Sequence, residues 1–272
     1  KVIIIGAGGV GYVAAETISD MHDVLVIEND ADIADTVKNR LNVSVLHEDG
    51  TNPKTIKYAI DTHDADVIIS TLGRDDSNLF VCLMAKRFKP EIITVASITN
   101  PDYVIDTTDD GVPGVDVIIS PELITAEKMY KLCVLENAVE YEVIPHFNVS
   151  MAIFQVSSES PLISKVVMNT FSMKDATVFA IYRNEELYFQ VDTMEIHSGD
   201  RICIMGTDEA LAKYNTDLGV EEVARDFVIL GGTIVGRHLA NLLSKDEKKR
   251  YVRIIEGIRT VAGNFPDCLP EL

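Results

Sequence analysis

The chain has 272 residues, of which 47% are hydrophobic and 25% are charged, a composition typical of a soluble globular protein with about two domains. The longest obvious apolar run, Leu79–Ala85, is far shorter than the ~18 residues of a membrane span. The net charge of -19 argues against nucleic acid or anionic lipid as a direct partner, because both are polyanions. The widely spaced cysteines predict neither a metal site nor a disulfide framework; they are Cys82, Cys133, Cys203 and Cys268.

The first element is a β-branched strand, Val2–Ile5, followed at once by a glycine-rich loop and a helix pattern. The loop residues are Gly6, Ala7, Gly8, Gly9, Val10 and Gly11. In a unit made of a strand, a GxGxxG loop and a helix, the first glycine permits the tight turn and the second allows a pyrophosphate to approach. The third lets the helix pack closely on the strand. The amides at the helix start then face the phosphates, so this loop predicts a dinucleotide site.

The second strand ends in Glu28, 22 residues after Gly6. A carboxylate at this point accepts hydrogen bonds from the adenosine ribose, and it would repel a 2′-phosphate. The sequence therefore favours NAD(H) over NADP(H). The alternative is that the glycines only make a tight turn and that Glu28 is a solvated strand end.

Apolar strands alternate with helical patterns over the next hundred residues. We predict strands at residues 43–47, 67–71, 92–97 and 115–120, and helices at residues 30–39, 53–60 and 77–88. This alternation indicates an α/β fold with a doubly wound parallel sheet (Rossmann-like), which binds its ligand at the carboxyl ends of the strands. Candidate contacts follow those ends: Asp49, Thr71, Leu72 and Ser97. Asp49 with Gly50 could equally form an ordinary turn.

A helix follows, with Ser120 as its N-cap and Pro121 at its first position. Its apolar residues cover more than one stripe, so we expect it to pack on two sides, against its own sheet and against another domain or subunit. Beyond about residue 139 the pattern changes to short strands at 141–144, 152–156, 177–183, 187–191 and 201–205. Helices are expected at 162–170 and 208–214. This is a second, smaller α+β domain.

The strand and glycine loop then recur with a period of 225 residues. Gly231 and Gly236 match Gly6 and Gly11, and Glu256 ends the second strand of the copy, but Thr233 replaces Gly8. Its Cβ argues against dinucleotide binding there. A half-sheet of this size is too small to be stable alone, so it should lean on the first unit, pair with another chain or be disordered.

These patterns divide the chain into three parts. We predict a dinucleotide-binding lobe at residues 1–137, a small α+β lobe at 138–219, and a truncated start of a second Rossmann-like repeat at 226–272. No catalytic constellation and no metal-ligand cluster is predicted in any of them.

The motifs together resemble the TrkA-like regulatory subunits of Trk potassium uptake systems, whose units are RCK domains with a TrkA N-terminal and C-terminal part. The resemblance covers essentially the whole chain. It lies in the glycine loop, Glu28 and the segments 47–53, 75–79, 99–103, 114–122 and 198–201.

The resemblance implies a cytoplasmic protein, held at the inner face of the cell membrane by a potassium-translocating subunit. It also implies a homo-oligomer, a dimer or tetramer, that binds NAD+ or NADH, or in some relatives ATP or ADP. Its nucleotide contacts fall on the glycine loop, Glu28, Thr71, Leu72 and the end of the fifth strand. Many relatives carry Arg in that last stretch, where this chain has Ala96, Ser97 and Ile98. The missing cation favours NAD over ATP or ADP.

Two functions are therefore open. The first is a nucleotide-sensing regulatory subunit, which is not an enzyme and which gates a potassium-translocating partner. The alternative is an NAD-dependent oxidoreductase acting on a small substrate, which needs a proton donor or acceptor near the nicotinamide. His47, Lys54 and Tyr103 are the candidates for that group, and they form no recognisable pair.

Overall fold

The computed structural model describes residues 1–100, 103, 112–144, 147, 149–170, 175–219, 224–246 and 250–257. The chain divides into two compact units, Lys1–Leu123 and Ile124–Leu272. The domain boundaries expected from the sequence stay a prediction.

The first unit is built on a parallel sheet. Its strands are β1 (Val2–Ile5), β2 (Val24–Glu28), β3 (Ser44–His47), β4 (Val67–Ser70), β5 (Ile93–Ser97) and β6 (Val117–Ile119). Its helices include α1 (Gly9–Ile18), α2 (Ala31–Arg40), α3 (Pro53–His63) and α4 (Asp75–Phe88). The strand order is β3-β2-β1-β4-β5-β6 with every pair parallel, so the chain direction across the sheet reverses between β1 and β4. The predicted doubly wound fold is confirmed.

The central strand β1 explains why the sequence reads as a continuous apolar run. Ile3 and Ile5 join the core beneath α3 and α4, whereas Val2 and Ile4 join the core beneath α1 and α2. Successive strand residues point to opposite faces, so a strand covered by helices on both sides buries every residue. All four residues of β1 are buried.

The second unit contains an antiparallel sheet. After α5 (Pro121–Val134), the strands are β7 (Ala138–Ile144), β8 (Val149–Gln155), β9 (Ala176–Arg183), β10 (Glu186–Tyr188) and β11 (Arg201–Gly206), in the order β10-β9-β11-β8-β7. The helices α6 (Val167–Thr170) and α7 (Asp208–Asp217) complete this part. The predicted smaller α+β layer is confirmed.

Two expected elements of this layer are shorter than predicted. The helix expected at 162–170 is confined to α6, because the preceding turn places Ser164 at a φ of 64° and Val166 bridges to Glu195. The strand expected at 187–191 leaves the sheet after Tyr188, and Val191 is instead the buried start of a turn closed by the Met194 amide.

The turn at residues 198–201 is organised by a buried ion pair. Asp200, which is 1% exposed, accepts from Arg183 Nε and Nη2, each at 2.7 Å, and from the His197 amide at 2.8 Å. Gly199 adopts a φ of 83°, a region that side chains rarely enter. These bonds fix the turn that precedes β11 against the Arg183 end of the neighbouring strand β9.

The second glycine loop lies in a short parallel pair, β12 (Asp226–Leu230) and β13 (Tyr251–Ile255), joined by α8 (Ile234–Ser244). Its apolar face packs on α5, where Ala126 forms a buried cluster with Leu239 and Leu243. Tyr130 of α5 also donates to Asp246 at 2.9 Å. The other side of α5 packs on the small antiparallel layer through Leu132 and Val134. The helix therefore packs on two sides, as expected, but on the small layer and the second repeat; packing on its own sheet stays a prediction.

Candidate functional site

The glycine loop between β1 and α1 is tightly packed at its two ends. Gly6 has a φ of 89°, and a Cβ there would lie 3.0 Å from the Thr71 carbonyl oxygen. A Cβ on Gly11 would lie only 1.9 Å from the Gly6 carbonyl oxygen and 2.5 Å from Thr71 Oγ1. The first glycine therefore makes the turn, and the third lets α1 lie against it, as the sequence predicts.

The middle of the loop is open. A Cβ on Gly8 or Gly9 would meet no atom within 4 Å. Gly8 is the N-cap of α1 and makes no side-chain cap hydrogen bond, and the first turn carries no acidic residue. The amides of the first turn, including that of Val10, have no carbonyl partner within the helix. They therefore present hydrogen-bond donors and the positive end of the helix dipole to an anion.

Glu28 is placed at the end of β2, as predicted, but it is buried and bonded to the loop. Its Oε2 accepts from the Ala7 amide at 2.6 Å, and its Oε1 accepts from the Asp30 amide at 2.9 Å. The side chain is 7% exposed, so it is not a solvated strand end. Each carboxylate oxygen has about two acceptor positions. The group can therefore hold the loop and still accept from a ribose hydroxyl.

Thr71 and Leu72 lie against the loop from the neighbouring strand. The Thr71 amide donates to the Ile5 carbonyl oxygen at 2.8 Å, and Thr71 Oγ1 lies 2.8 Å from the Gly6 carbonyl oxygen. Leu72 Cδ2 would lie 3.2 Å from a Cβ on Gly6. These residues therefore stand at the point where the strand order reverses, which is where open α/β sheets bind ligands.

Asn78 organises the same edge and was missed by the sequence reasoning as a site residue. Its Oδ1 accepts from Ser70 Oγ and from the Leu72 amide, each at 2.7 Å. Its Nδ2 donates to the carbonyl oxygens of Leu72 at 2.9 Å and Ser97 at 2.7 Å. Asn78 therefore ties the ends of β4 and β5 together and brings Ser97 to the site. A polar residue on the otherwise apolar stripe Val81, Cys82, Ala85 was the available signal.

We expect Asn78→Ala to lower the free energy of unfolding of the first unit by about 3 kcal/mol, because several buried polar groups lose their partners. Urea unfolding followed by circular dichroism measures this. Asn78→Asp is the comparison variant. It keeps the oxygen that accepts from the Leu72 amide but loses both Nδ2 donors, so it should also lower the free energy of unfolding. An unchanged stability of Asn78→Ala would contradict the role assigned to this side chain.

Asp49 forms a local turn. Its Oδ1 accepts from the Thr51 amide at 2.8 Å and from Thr51 Oγ1 at 2.7 Å, and the side chain is exposed. Gly50 is buried, and its position has no room for a side chain, because a Cβ there would lie 2.2 Å from Ile5 Cγ2. The ordinary-turn reading thus accounts for Asp49, and its contact with a ligand stays a prediction.

The second glycine loop repeats the frame but not the open centre. Gly231 has a φ of 99°, and a Cβ on Gly236 would lie 2.5 Å from the Gly231 carbonyl oxygen. Glu256 accepts from the Gly232 amide at 2.6 Å, as Glu28 does from Ala7. However, Thr233 caps α8 and accepts from the Gly236 amide at 3.2 Å. The helix start that is open in the first copy is closed by a side chain in the second.

Other kinds of site are not indicated within the described ranges. In that part of the chain no group of three His, Cys, Asp or Glu side chains is placed to hold a metal ion. No helix there is both long and apolar enough to cross a bilayer. Cys82, Cys133 and Cys203 are free, and burial raises the pKa of the Cys82 thiol to about 12, which keeps it in the unreactive protonated form. Cys268 lies outside the described residues.

Comparison with known proteins confirms the resemblance expected from the motifs. Residues 2–121 match the family model of the TrkA-N domain. The chain is 31% identical over 255 residues to "Trk system potassium uptake protein TrkA homolog 2" of Methanosarcina mazei, an alignment that covers 91% of this chain and 56% of the relative. The chain therefore spans little more than half the length of that relative.

Two solved structures share the fold. The GsuK RCK domain aligns with a TM-score of 0.66 at 15% identity, covering 100% of this chain and 57% of that one. The GsuK channel bound to NAD aligns with a TM-score of 0.63 at 15% identity, covering 95% of this chain and 49% of that one.

Proposed function

Because residues 2–121 match the family model of the TrkA-N domain, we propose that this chain is a nucleotide-sensing regulatory subunit of a potassium uptake system. In this proposal it binds NAD(H), and the bound nucleotide gates a membrane potassium-translocating partner. The observation that carries the proposal is the uncapped start of α1, with its first-turn amides free of side-chain caps beside the buried Glu28.

The residues of the loop fit a dinucleotide. The amides of Gly9, Val10 and Gly11 would hold the pyrophosphate, which the absence of a side chain at Gly8 allows to approach. Glu28 would accept from the adenosine ribose, and its negative charge would reject a 2′-phosphate. Thr71, Leu72 and Ser97 would border the half of the ligand that crosses toward β4 and β5. NAD is favoured over ATP or ADP as the ligand.

In a sensor the bound nucleotide acts by its different affinity for two conformations of the protein. Part of the loop is held by bonds that a ligand would engage: Glu28 holds the Ala7 amide, and Thr71 holds the turn at Gly6. Binding would therefore alter the hydrogen bonds that join the loop to the ends of β2 and β4. The assembly we propose is a homo-oligomer at the inner face of the membrane, with lobes at residues 1–137, 138–219 and 226–272.

An oxidoreductase would need a proton donor or acceptor beside the nicotinamide. Of the candidates, His47 is exposed and its Nε2 lies 3.1 Å from the Asn29 carbonyl oxygen. This contact faces the backbone between β2 and α2 and supplies no catalytic pair.

Calorimetric titration of the chain with NADH, NAD+, ADP and ATP tests the proposal, together with a screen for hydride transfer to small carbonyl compounds. We expect binding of NADH or NAD+ in preference to ATP, with no turnover. Turnover of any small substrate would favour the oxidoreductase, and no binding of any of the four nucleotides would refute the sensor.

We expect Glu28→Ala to weaken NADH binding by at least ~1.5 kcal/mol, about tenfold, because charge-assisted hydrogen bonds are lost. The same change frees two backbone amides and so also loosens the loop. Glu256→Ala is the matched control, since it removes the equivalent bond to Gly232 in the second copy. Equal NADH affinities for the two variants would place the ligand elsewhere.

A further inference from the structure

The edge of the sheet at which the nucleotide is proposed to bind has little positive charge. Lys54 and Arg74 stand at the N-terminal ends of α3 and α4, beyond β3 and β4. The other lysines and arginines of residues 1–100 lie further along the helices or at the opposite end of the sheet. Because β4 neighbours β1 at the reversal of strand order and β3 is the edge strand, Arg74 is the one beside the reversal point.

Carboxylates crowd the same place. Glu28 is bonded to the glycine loop, and Asp75 and Asp76 begin α4. Asp75 is already engaged, because it accepts from the amides of Thr99 at 2.8 Å and Asn100 at 2.9 Å. A pyrophosphate placed at the start of α1 would lie at the same edge of the sheet as these negative charges, and the end of the fifth strand supplies there only the neutral Ser97. A cation from another element is needed to offset them.

Arg74 is held by Asp76 in a two-point contact. Arg74 Nε lies 3.0 Å from Asp76 Oδ1, and Nη2 lies 2.5 Å from Oδ2. Both side chains are exposed, at 77% and 62%. An ion pair this exposed contributes little to folding, so the guanidinium can exchange one anionic partner for another at small cost. Its planar fork suits two phosphate oxygens as well as it suits a carboxylate.

Arg74 is close in sequence to the residues that contact the glycine loop. Thr71 and Leu72 touch the turn at Gly6, and Arg74 is two residues beyond Leu72, after the unobstructed Gly73. Two residues span at most about 7 Å, and the arginine side chain extends further toward solvent. In the proposal below, the guanidinium would turn from Asp76 toward the glycine loop to meet a phosphate there.

We propose that Arg74 is the phosphate-pairing residue of this nucleotide site, and that Asp76 holds it while no phosphate is bound. The proposal rests on the proposed function, because it assigns the residue that recognises the diphosphate of the same ligand. Asp76 would then tune affinity: it competes with the phosphate for Arg74 and is released when the nucleotide binds.

Calorimetry with ADP, NADH and adenosine tests this on the full chain. Arg74→Gln should weaken ADP and NADH about tenfold or more and leave the affinity for adenosine, which has no phosphate, unchanged. Asp76→Asn should strengthen ADP about threefold by freeing Arg74. Arg74→Lys, which keeps the charge but loses the fork, should fall between wild type and Arg74→Gln. The ADP affinity of Arg74→Gln should also depend less on salt than that of wild type.

The outcomes separate the two proposals. A wild-type chain that binds neither ADP nor NADH overturns both. If wild type binds the nucleotide, Glu28→Ala weakens binding and Arg74→Gln does not, only the role of Arg74 is overturned. Equal losses for ADP and adenosine in Arg74→Gln would mean that this residue shapes the loop and does not pair with phosphate, which also overturns the proposal. Thermal unfolding of each variant should stay close to wild type, because the ion pair is exposed and because Asn at position 76 keeps an oxygen that can accept from the Ser77 amide, as Asp76 Oδ1 does at 2.8 Å.

Discussion

Gly11→Ala should unfold or severely destabilise the first unit, lowering its free energy of unfolding by about 4 kcal/mol. The added Cβ would lie 1.9 Å from the Gly6 carbonyl oxygen, a backbone atom that cannot move without opening the turn. Chemical denaturation followed by circular dichroism measures the change.

Gly9→Ala is the matched control for that variant. It also adds a methyl group to α1, but its Cβ would meet no atom within 4 Å. Alanine favours a helix over glycine by up to about 1 kcal/mol, so Gly9→Ala should be as stable as wild type or slightly more stable. Equal stability of the two variants would mean that α1 does not pack on the turn as described.

Gly8→Thr should reduce NADH affinity at least tenfold, if the charge-assisted hydrogen bonds to the first-turn amides hold the phosphates. This change makes the first loop like the second, in which Thr233 Oγ1 accepts from the Gly236 amide. The hydroxyl would occupy the corresponding Gly11 amide, and the side chain would fill the space open to the ligand. Calorimetric titration with NADH measures the loss.

The fold should tolerate Gly8→Thr, because Gly8 has a φ of -61° and open space around it, and threonine is a favourable N-cap. A thermal unfolding temperature at or above that of wild type is therefore expected. Wild-type NADH affinity in this variant would show that the start of α1 is not the phosphate site. An intermediate loss in Gly8→Ala would separate the effect of bulk from that of the hydroxyl.

Most of the first unit was predictable from the sequence because its signals are local. The β-branched run of β1, the glycine spacing and the apolar face of α1 lie within twenty residues, and the period of each pattern identifies its element. The carboxyl-edge positions of Thr71, Leu72 and Ser97 follow from strand ends alone. The order of the strands then follows from the usual topology of folds in which parallel strands alternate with helices.

What the sequence did not reveal depends on side chains that act across the fold. Asn78 reads as one polar residue in a helix, yet its amide joins two strand ends, and only the packing of α4 on β4 and β5 brings it there. The bond from Glu28 to the Ala7 amide is hidden for the same reason. In the small layer, the prediction of a helix over residues 162–170 was wrong for the first part of that range, because the apolar residues there are buried by a turn and not by a helix.

The bond between a strand-end glutamate and the glycine loop occurs in both copies, in Glu28 with Ala7 and in Glu256 with Gly232. The acid is therefore part of the frame of the loop in both copies. Within the described residues, the start of α1 is uncapped at Gly8, whereas the start of α8 is capped by Thr233. In a fold that is duplicated within one chain, a regulatory input could then be silenced or restored by a single substitution, while both copies keep their architecture.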